Sequence, residues 1–413
     1  MNLADDPFSR ITPEDLGYQP GIIIPGMSAQ PHSSEPIQPQ GFAWRDPSTI
    51  PPRPWLYGRH LLRGQVSVTV APGGVGKSSL LLIEALSMAA GRAILGDWVA
   101  KPLTVWVYNL EDPRDELERR TIAAMIHHRV RPEEIGDRLY LNSGRDRGLC
   151  TAVQARNGAM IVAPEIEAIC EAIQNLDADV VVIDPFVSSH RVQENDNGAI
   201  DMVAKEWARV AERCNCAIEL VHHTRKLNGE NATSEASRGA VALLGAARSA
   251  RVLNRMTDDE RVKAGVTGED TYFSVTRDKA NLAPAGKRAW RRIVSVDLGQ
   301  GDHVGVVEPW EWPDAFDGIT PQDAANVRQA VAEREIEPPR EDPRSKDWVG
   351  HIVARILGLD MGEKSTRTRI IALIRTWVAT EVLEIAEARS SRDGRDVRVI
   401  IPGPNDPLRE GGS

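Results

Sequence analysis

A glycine-rich segment at residues 71–78, Ala-Pro-Gly-Gly-Val-Gly-Lys-Ser, lies between an apolar β-branched run (66–70) and a helical pattern. Small residues allow several backbone N–H groups to point at one phosphate chain, and the following helix adds its N-terminus. Lys77 can neutralise the β- and γ-phosphate oxygens, and the Ser78 hydroxyl can bind Mg²⁺. The usual motif begins with glycine, whereas this one begins with Ala71. The segment predicts a site for ATP and Mg²⁺ built from Gly73, Gly74, Val75, Gly76, Lys77, Ser78 and Ser79.

A second apolar run, residues 180–183, ends in the carboxylate of Asp184. In P-loop enzymes an acidic residue at such a strand end serves the Mg²⁺ ion. Many strands also end in Asp as a turn residue. Asp184 indicates a metal site only because the glycine-rich segment precedes it in the chain. Together the two segments predict that Ser78 and Asp184 hold the metal, Asp184 directly or through water.

Glu111 and Asp112 follow the apolar run 103–110. A water that attacks the γ-phosphate needs a general base, and a carboxylate at the end of a neighbouring strand reaches the same crevice. Alternatively, both residues begin the next helix, where acidic side chains favour the helix N-terminus and Asp112 before Pro113 suits a cap. We predict that Glu111 is the base and that Asp112 is a cap or a secondary contact.

His222 and His223 end a further apolar run, residues 217–221. A single histidine at a strand end is usually structural. Two histidines beside the same crevice, followed by Arg225 and Lys226, predict a sensor of the γ-phosphate.

Arg238 follows the polar loop 226–236, and Arg248 and Arg251 come after it. In many ATPases with this motif an arginine from a neighbouring subunit stabilises the charge of the transition state. Ordinary salt bridges and contacts with DNA phosphates are the alternatives.

Apolar runs alternate with amphipathic helical patterns along residues 55–312, which predicts an α/β fold with a mainly parallel central sheet covered by helices. Further runs between residues 251 and 307 show no intervening helical pattern, which predicts an antiparallel extension of the sheet. Trp55 and Tyr57 precede the first run. These two rings either stack on adenine or pack the start of the domain.

Residues 345–404 contain two helical patterns, 345–357 and 364–381, followed by two strand patterns with a polar segment between them. This order predicts a small C-terminal winged-helix domain, whose second helix would contact duplex DNA. Residues 344–399 have eleven basic against eight acidic side chains, a net charge of +3. A solvated helix face in a protein-binding domain is the alternative. The predicted DNA-contacting side chains here are Lys364, Arg367, Arg369 and Arg392.

Shifts in composition indicate the remaining domain boundaries. Residues 1–54 hold eleven of the 27 prolines and a net charge of −3, which predicts a disordered segment. Residues 313–344 are predicted to be a linker with a short helix. Residues 405–413 are predicted to be a disordered tail.

The whole-chain composition excludes several classes of protein. A hydrophobic fraction of 41% and a charged fraction of 26% are ordinary for globular proteins, so global disorder is excluded. The sequence lacks a run of about 18 apolar residues, an apolar leader and a Cys-x-x-Cys pair, so we expect a cytoplasmic protein without a membrane span or disulfide scaffold. The net charge of −9 argues against a protein that coats DNA over its whole surface, but it permits a local basic groove.

These motifs, in this order, make residues 55–312 resemble the RecA-like hexameric replicative helicases of the plasmid RepA type, within the wider family of AAA-type ATPases of mobile elements. The matching segments are 71–78, 110–113, 180–184, 222–226, 236–239 and 279–281. The resemblance implies a RecA-like P-loop NTPase core in a homo-oligomeric ring, usually a hexamer, with ATP at the subunit boundaries. It also implies that Glu111 is the catalytic glutamate, Arg238 the trans-acting arginine, and His222 and His223 the phosphate-sensing pair.

Two functions follow from these features. The first is an ATP-driven helicase or replication protein that holds single-stranded DNA in a ring pore through segments 188–198 and 225–237. Arg191, Arg225 and Lys226 lie in these segments, which contain no Phe, Trp or Tyr, so we expect contacts with phosphates rather than base stacking. The second is an ATP-switched DNA-binding regulator that reads duplex DNA through the winged helix without unwinding it.

Overall fold

The structure is a computed structural model that describes residues 38–155, 158–224, 240–266, 268–280, 288–299, 301–389 and 395–408. At residues 224, 240, 241, 278–280 and 364 only the backbone is described. The chain divides into two compact units. The first unit comprises the chain up to residue 254 together with 274–289 and 293–309, and the second comprises 255–273, 290–292 and the chain from 310 onward.

The strands and helices are numbered here in chain order. The strands are β1 Trp55–Tyr57, β2 Leu61–Leu62, β3 Val66–Pro72, β4 Val105–Asn109, β5 Leu139–Ser143, β6 Ala152–Ala155, β7 Gly158–Ile161, β8 Val180–Asp184, β9 Ala217–Thr224, β10 Ser249–Arg255, β11 Thr271–Ala280, β12 Ala289–Asp297, β13 His303–Trp310, β14 Leu383–Arg389 and β15 Asp396–Pro402. The helices are α1 Lys77–Ala90, α2 Arg114–His128, α3 Pro132–Ile135, α4 Ala163–Leu176, α5 Asn197–Arg213, α6 Ala240–Ala246, α7 Asp258–Ala264, α8 Pro321–Ala332, α9 Val349–Leu357 and α10 Lys364–Ala379. Within the described ranges, none of these helices has the length and apolar character needed to cross a membrane.

Nine of the strands form one sheet in the order β13-β12-β11-β10-β3-β9-β8-β4-β5. All the neighbours from β10 to β5 pair in parallel, which confirms the predicted parallel central sheet. Only residues 298–302 join β12 to β13. Parallel neighbours need a crossover of about a dozen residues or more, so this pair must be antiparallel, in agreement with the predicted extension.

The central strands are buried on both faces, because successive residues of a strand point to opposite sides of the sheet. In β8, Val181 and Ile183 pack into one apolar cluster, and Val180 and Val182 pack into another. Helix α5 contributes the fully buried Trp207 to the first cluster, and α1 contributes to the second. This covering of both faces is what a parallel sheet requires.

The strand-rich part of the chain contains a helix that the sequence pattern did not predict. Helix α7 lies between β10 and β11, so the prediction of strands without an intervening helix is wrong there. Thr257 and Glu260 form a capping box at its start, and Gly265 ends it with φ of 68°. The Thr-x-x-Glu signal was present in the sequence. A helix of only 7 residues is too short to show a clear apolar period.

The second unit has its own apolar core, formed by α8, α9, α10, β14 and β15. Trp348 and Trp377 are buried in it, and Val327 packs there from α8. Helix α8 was predicted within a linker, but it belongs to this core. The predicted order of two helices and an antiparallel strand pair is confirmed as α9, α10 and β14–β15. The polar tip at residues 390–394, with Arg392, lies outside the described residues.

Tyr57 packs the start of the first unit. Its side chain is 1% exposed and lies in the cluster that contains Leu56 and Leu61. Trp55 is half-buried. For Tyr57, burial in this cluster confirms the packing alternative rather than stacking on adenine.

Candidate active site

The carboxyl ends of β3, β9, β8 and β4 lie side by side at one edge of the sheet in the first unit. The register pairs Ala71 with His223, and it pairs Asn109 with Asp184. Because parallel strands end at the same edge, the side chains and loops that follow them share one crevice. The crevice therefore brings together the glycine-rich segment, Asp184, His223 and the residues that follow β4.

Residues 73–76 connect β3 to α1 in a conformation suited to a phosphate chain. Gly74 and Gly76 have φ angles of 75° and 97°, which glycine adopts without strain. Among the described atoms, none lies within 4 Å of the place where a Cβ would stand at Gly73 or Gly74, so this side of the loop is open. The N-cap Gly76 has no side chain to occupy the first N–H groups of α1, which can therefore bind an anion.

The departure from the usual motif at Ala71 has no effect on this open side. Ala71 is fully buried within β3. Val75 is also buried, so its side chain packs inside the first unit. The residues that line the cleft beside this loop are therefore later ones: Gly74, Gly76, Lys77, Ser78 and Ser79.

The Lys77 ammonium lies in the middle of the crevice. Its Nζ is 3.2 Å from Nδ1 and 3.1 Å from Nε2 of His223, and 4.0 Å from Oδ1 of Asp184. The residue is only 7% exposed. Burial lowers the pKa of Lys77, and the charges of Asp184, Glu111 and Asp112 partly offset this effect. A buried ammonium at the start of a helix is well placed to bind an anionic ligand.

Ser78 and Asp184 place two oxygen atoms beside Lys77. Ser78 Oγ donates a hydrogen bond of 2.7 Å to Asp184 Oδ2, and Asp184 is buried. Mg²⁺ takes oxygen ligands and keeps several waters, so a hydroxyl and a carboxylate together with phosphate oxygens fit it. In the described part of the chain, no group of three or more His, Cys, Asp or Glu residues could hold a different metal.

Glu111 lies on the loop that follows β4, with its side chain exposed. Partial burial raises the pKa of Glu111, the charge of Asp184 raises it further, and Lys77 acts in the opposite direction. Glu111 is the second residue after β4, whose last residue, Asn109, pairs with Asp184 at the end of β8. A carboxylate in this position can reach a water molecule next to a phosphate bound at Lys77.

Asp112 does not cap α2. The N-cap is Pro113, which has no side-chain cap hydrogen bond, so the cap alternative is wrong. Instead, Asp112 Oδ2 accepts a hydrogen bond of 2.7 Å from Nη1 of Arg120. Asp112 is therefore joined to α2 by an ion pair, and its part as a secondary contact in the nucleotide site stays a prediction.

The two histidines of β9 have different surroundings. His223 contacts Lys77 through both ring nitrogens. His222 is 8% exposed, and among the described residues its Nδ1 has no hydrogen-bond partner. Burial lowers the pKa of both rings, so both are neutral near pH 7. The structure places His223, rather than His222, against the candidate phosphate site.

Arg251 forms a buried ion pair within the first unit. Its Nη1 and Nη2 donate to the two carboxylate oxygens of Glu84 at 2.6 and 2.5 Å, and its Nε donates to Thr69 Oγ1 at 2.8 Å. A guanidinium held in this way cannot reach a neighbouring subunit, so Arg251 is not a trans-acting arginine. Arg248 is exposed. The predicted residues Arg225, Lys226 and Arg238 lie outside the described residues.

Arg191, predicted to contact DNA, is exposed in the segment that follows β8. Its Nη1 donates to the backbone oxygen of His190 at 3.0 Å, and its backbone N–H donates to Ala152. The side chain is therefore bonded only to its own segment in the hydrogen bonds described, and its exposure is compatible with a phosphate contact.

Two of the predicted DNA-contacting arginines in the second unit are bonded to the backbone of that unit. Arg367 donates to the backbone oxygen of Pro343 and lies over the ring of Trp348, 5.3 Å from its centroid. Arg369 donates to the backbone oxygens of Ala315 and Asp317. At Lys364 only the backbone is described. The start of α10 thus uses its arginines for internal contacts.

Asn109 and Ser143, which hold the Glu111 loop, were not predicted from the sequence. Asn109 Oδ1 accepts the backbone N–H groups of Glu111 and Asp112 at 3.0 and 2.7 Å. An Asn followed by polar residues after a strand is a known turn pattern, so this contact had a local signal. Ser143 donates to the backbone oxygen of Asp112 at 2.7 Å, and no local signal pointed to it.

A cleft of about 450 Å³ opens beside the glycine-rich segment in the first unit. Besides the glycine-rich segment and the start of α1, it is lined by residues of α2, of β12 and of the start of β13 with Asp302 before it. An ion pair of 2.8 Å joins Arg119 and Asp302 at its wall. The other lining residues are Gly74, Gly76, Lys77, Ser78, Ser79, Glu116, Arg120, Ile293, His303, Val304 and Gly305. The candidate phosphate site thus opens into a space that can hold the rest of a nucleotide.

Residues 31–229 match the family model described as an AAA domain, which belongs to the AAA-type P-loop ATPases. The matched range contains the glycine-rich segment, Glu111, Asp184, His222 and His223. It agrees with the wider AAA-type family of the resemblance. The similarity and the geometry of the site together support ATP binding and ATPase activity.

Proposed function

We propose that this protein is an Mg²⁺-dependent ATPase that uses hydrolysis to move on DNA, as a replicative helicase or replication protein of a plasmid, phage or integrated mobile element. The observation that supports the ATPase most strongly is that Lys77, the Ser78–Asp184 pair and the loop that carries Glu111 lie at the same edge of the sheet. The DNA-directed role is supported by the resemblance to RepA-type helicases.

Each side chain has a distinct role in this proposal. The open backbone at residues 73–76 and the Lys77 ammonium bind the phosphates, and His223 holds the ammonium in place. Ser78 and Asp184 would hold Mg²⁺, which neutralises charge on the phosphate oxygens. Glu111 accepts a proton from the attacking water or orients it.

The ring assembly belongs to the proposal as well. ATP would lie at the boundary between two subunits of a homo-oligomer, with six subunits as the expected number. Arg238 of one subunit would complete the site of the next and stabilise the transition-state charge. Support for this arrangement comes from the resemblance. Arg251 cannot take this role, because its guanidinium is bonded to Glu84.

The second candidate is an ATP-switched DNA-binding regulator, and the order of elements in the second unit favours it. Helices α9 and α10 followed by the β14–β15 pair have the order expected of a winged helix. However, Arg367 and Arg369 are bonded internally. Besides Arg367, the described arginines with exposed side chains on these elements are Arg355, Arg375, Arg389 and Arg398.

The decisive experiment for the ATPase measures phosphate release by the purified chain with Mg²⁺ and ATP, with and without single-stranded DNA. We expect hydrolysis that single-stranded DNA stimulates. A chain that binds ATP but shows no hydrolysis under either condition, with EDTA-treated protein as the baseline, contradicts the proposal.

A forked DNA substrate separates the two candidate functions. A helicase displaces the labelled strand in an ATP-dependent manner, whereas a regulator retains the duplex when ATP is present and displaces nothing. Lys77→Ala serves as the matched control, because it removes phosphate binding and leaves the second unit unchanged.

A further inference from the structure

We propose that the connector 143–151, which joins β5 to β6, positions Glu111 and thereby sets the rate of the chemical step. This inference rests on the proposed ATPase function. It assigns Ser143, Gly144 and Arg145 as positioning residues, which act on the loop 110–112 without contacting the nucleotide.

The near end of the connector is bonded directly to the loop that carries Glu111. Arg145 Nε donates to the backbone oxygen of Glu111 at 2.8 Å, and Ser143 Oγ donates to that of Asp112 at 2.7 Å. The Ser143 hydroxyl also accepts the backbone N–H of Arg145 at 3.1 Å. The Ser143 hydroxyl is fully buried and bonds both to Asp112 of the loop and to Arg145 of the connector.

Gly144 allows the connector to approach the loop this closely. Its N–H donates to the backbone oxygen of Asn109 at 2.7 Å. A Cβ at this position would stand 2.6 Å from the Cα and 2.9 Å from the backbone oxygen of Leu110. Since those atoms are backbone, an alanine here must displace Leu110, and Glu111 is the next residue.

The backbone N–H groups of the loop are also bonded. Leu110 N–H donates to the backbone oxygen of Asp184 at 2.7 Å, and Asn109 accepts the N–H groups of Glu111 and Asp112. The loop is therefore bonded to β4, β8 and the connector at the same time. A backbone bonded at these five points is restricted in its conformation, as the loop of a general base requires.

The far end of the connector is fastened to a different part of the first unit. Tyr108 Oη donates to the backbone oxygen of Arg147, whose guanidinium binds Glu165 at 3.0 and 2.9 Å. Thr151 donates through its N–H and its hydroxyl to the backbone oxygen of Ser189 at 2.8 and 2.9 Å. Ser189 precedes the exposed segment that contains Arg191. The connector thus joins that candidate DNA-contacting segment to the loop of Glu111.

The test compares kcat for ATP hydrolysis with the Kd of a non-hydrolysable MgATP analogue in the full chain. Displacing a catalytic group by about 1 Å can cost about 10²-fold in rate. We expect Gly144→Ala to lower kcat by about 10²-fold, and Ser143→Ala and Arg145→Ala by about 10-fold. The Kd should change by less than about twofold, because residues 73–79 are untouched. A thermal melt of each variant verifies folding.

Two further variants keep the result specific. Arg147→Ala is the matched control. Arg147 belongs to the same connector, but its guanidinium binds Glu165 rather than the loop 110–112, so the kcat of this variant should stay within about twofold of wild type. Arg145→Lys can still donate to the Glu111 oxygen and should recover most of the lost rate. A Gly144→Ala chain with unchanged kcat, or an equal loss in Arg147→Ala, overturns the inference.

Failure of the proposed function gives a different pattern. A wild-type chain without hydrolysis, or a Glu111→Gln chain with full turnover, shows that the ATPase or the base is wrongly assigned. A further outcome is that hydrolysis needs Glu111 but is unchanged by substitutions at Ser143, Gly144 and Arg145. That outcome supports the ATPase function and contradicts only the positioning role of the connector.

Discussion

Lys77 in the first unit and Arg369 in the second are both basic residues near the start of a helix, yet they are used differently. Lys77 has His223 and Asp184 as neighbours and faces an open loop. Arg369 is bonded to the backbone oxygens of Ala315 and Asp317. A basic side chain is free for a ligand only where no neighbouring backbone oxygen takes it as a hydrogen-bond donor.

This difference has a physical cause. The glycine-rich turn leaves N–H groups at the start of α1 without hydrogen-bond acceptors, so these groups favour a negatively charged ligand. In the second unit, the segments around residues 315–317 and 343 leave backbone oxygens that need donors, and a guanidinium supplies several. Sequence patterns show the charge of a residue, but they do not show which backbone oxygens around it need a hydrogen-bond donor.

The largest expected effect comes from Lys77→Ala. Removal of the ammonium leaves the β- and γ-phosphate oxygens without their lysine, so hydrolysis should be abolished. Phosphate release under saturating ATP measures the result. Full turnover in this variant would show that the glycine-rich segment is not the ATP site and would remove the contrast with Arg369.

Arg238→Ala should lower the rate by about 10³–10⁵-fold while ATP still binds, if this arginine acts on a neighbouring subunit. Mixing tests that condition. Arg238→Ala and Glu111→Gln subunits lack different parts of the composite site, so mixed assemblies should recover hydrolysis at boundaries where an intact Glu111 faces an intact Arg238. Absence of recovery in subunits shown to co-assemble would support a DNA-contacting or structural role for Arg238.

Glu111→Gln should retain ATP binding and lose about 10²–10⁴-fold in hydrolysis, because it preserves shape while removing the base. Asp112→Asn is the matched comparison. Its carboxylate pairs with Arg120, so we expect a smaller loss of rate. If Asp112→Asn is the more damaging change, the two roles are reversed.

Arg369→Ala should destabilise the second unit by about 1.5–3 kcal/mol, because it leaves two backbone oxygens without their charged donor. Urea unfolding followed by tryptophan fluorescence measures the change, and ATP hydrolysis without DNA should stay unchanged. Arg375→Ala, which removes an exposed arginine of the same helix, is the control for stability. Weaker DNA binding by Arg369→Ala at full stability would restore Arg369 as a DNA contact.

The smallest predicted effect is a shift in the pH dependence of the rate. Glu111 works as a carboxylate, and its pKa is raised by partial burial and by the charge of Asp184. Activity should therefore fall, as the pH decreases, at a higher pH than an ordinary glutamate would produce. A profile of kcat against pH in the wild-type chain measures this limb. A limb at or below the ordinary range of glutamate would contradict the environment described for Glu111.

Much of the candidate site follows from local sequence. The glycine-rich segment predicts its own location because one strand, one turn and one helix of consecutive residues create it. Asp184, Glu111 and His223 were found because each ends an apolar run, and parallel strands bring such ends to one edge. The helix α7 was missed because its few residues lie among strands, where a short helical period is not visible.

Contacts between distant residues were decided only by the tertiary structure. Glu84 lies 167 positions from Arg251, and Ser143 lies 31 positions from Asp112, so no spacing rule connects them. The sequence alone determined which side chains follow the parallel strands, because side-chain type and strand pattern are local properties. The tertiary structure decided which of the charged groups are paired internally and which remain open to a ligand, because that depends on the backbone groups that packing places beside them.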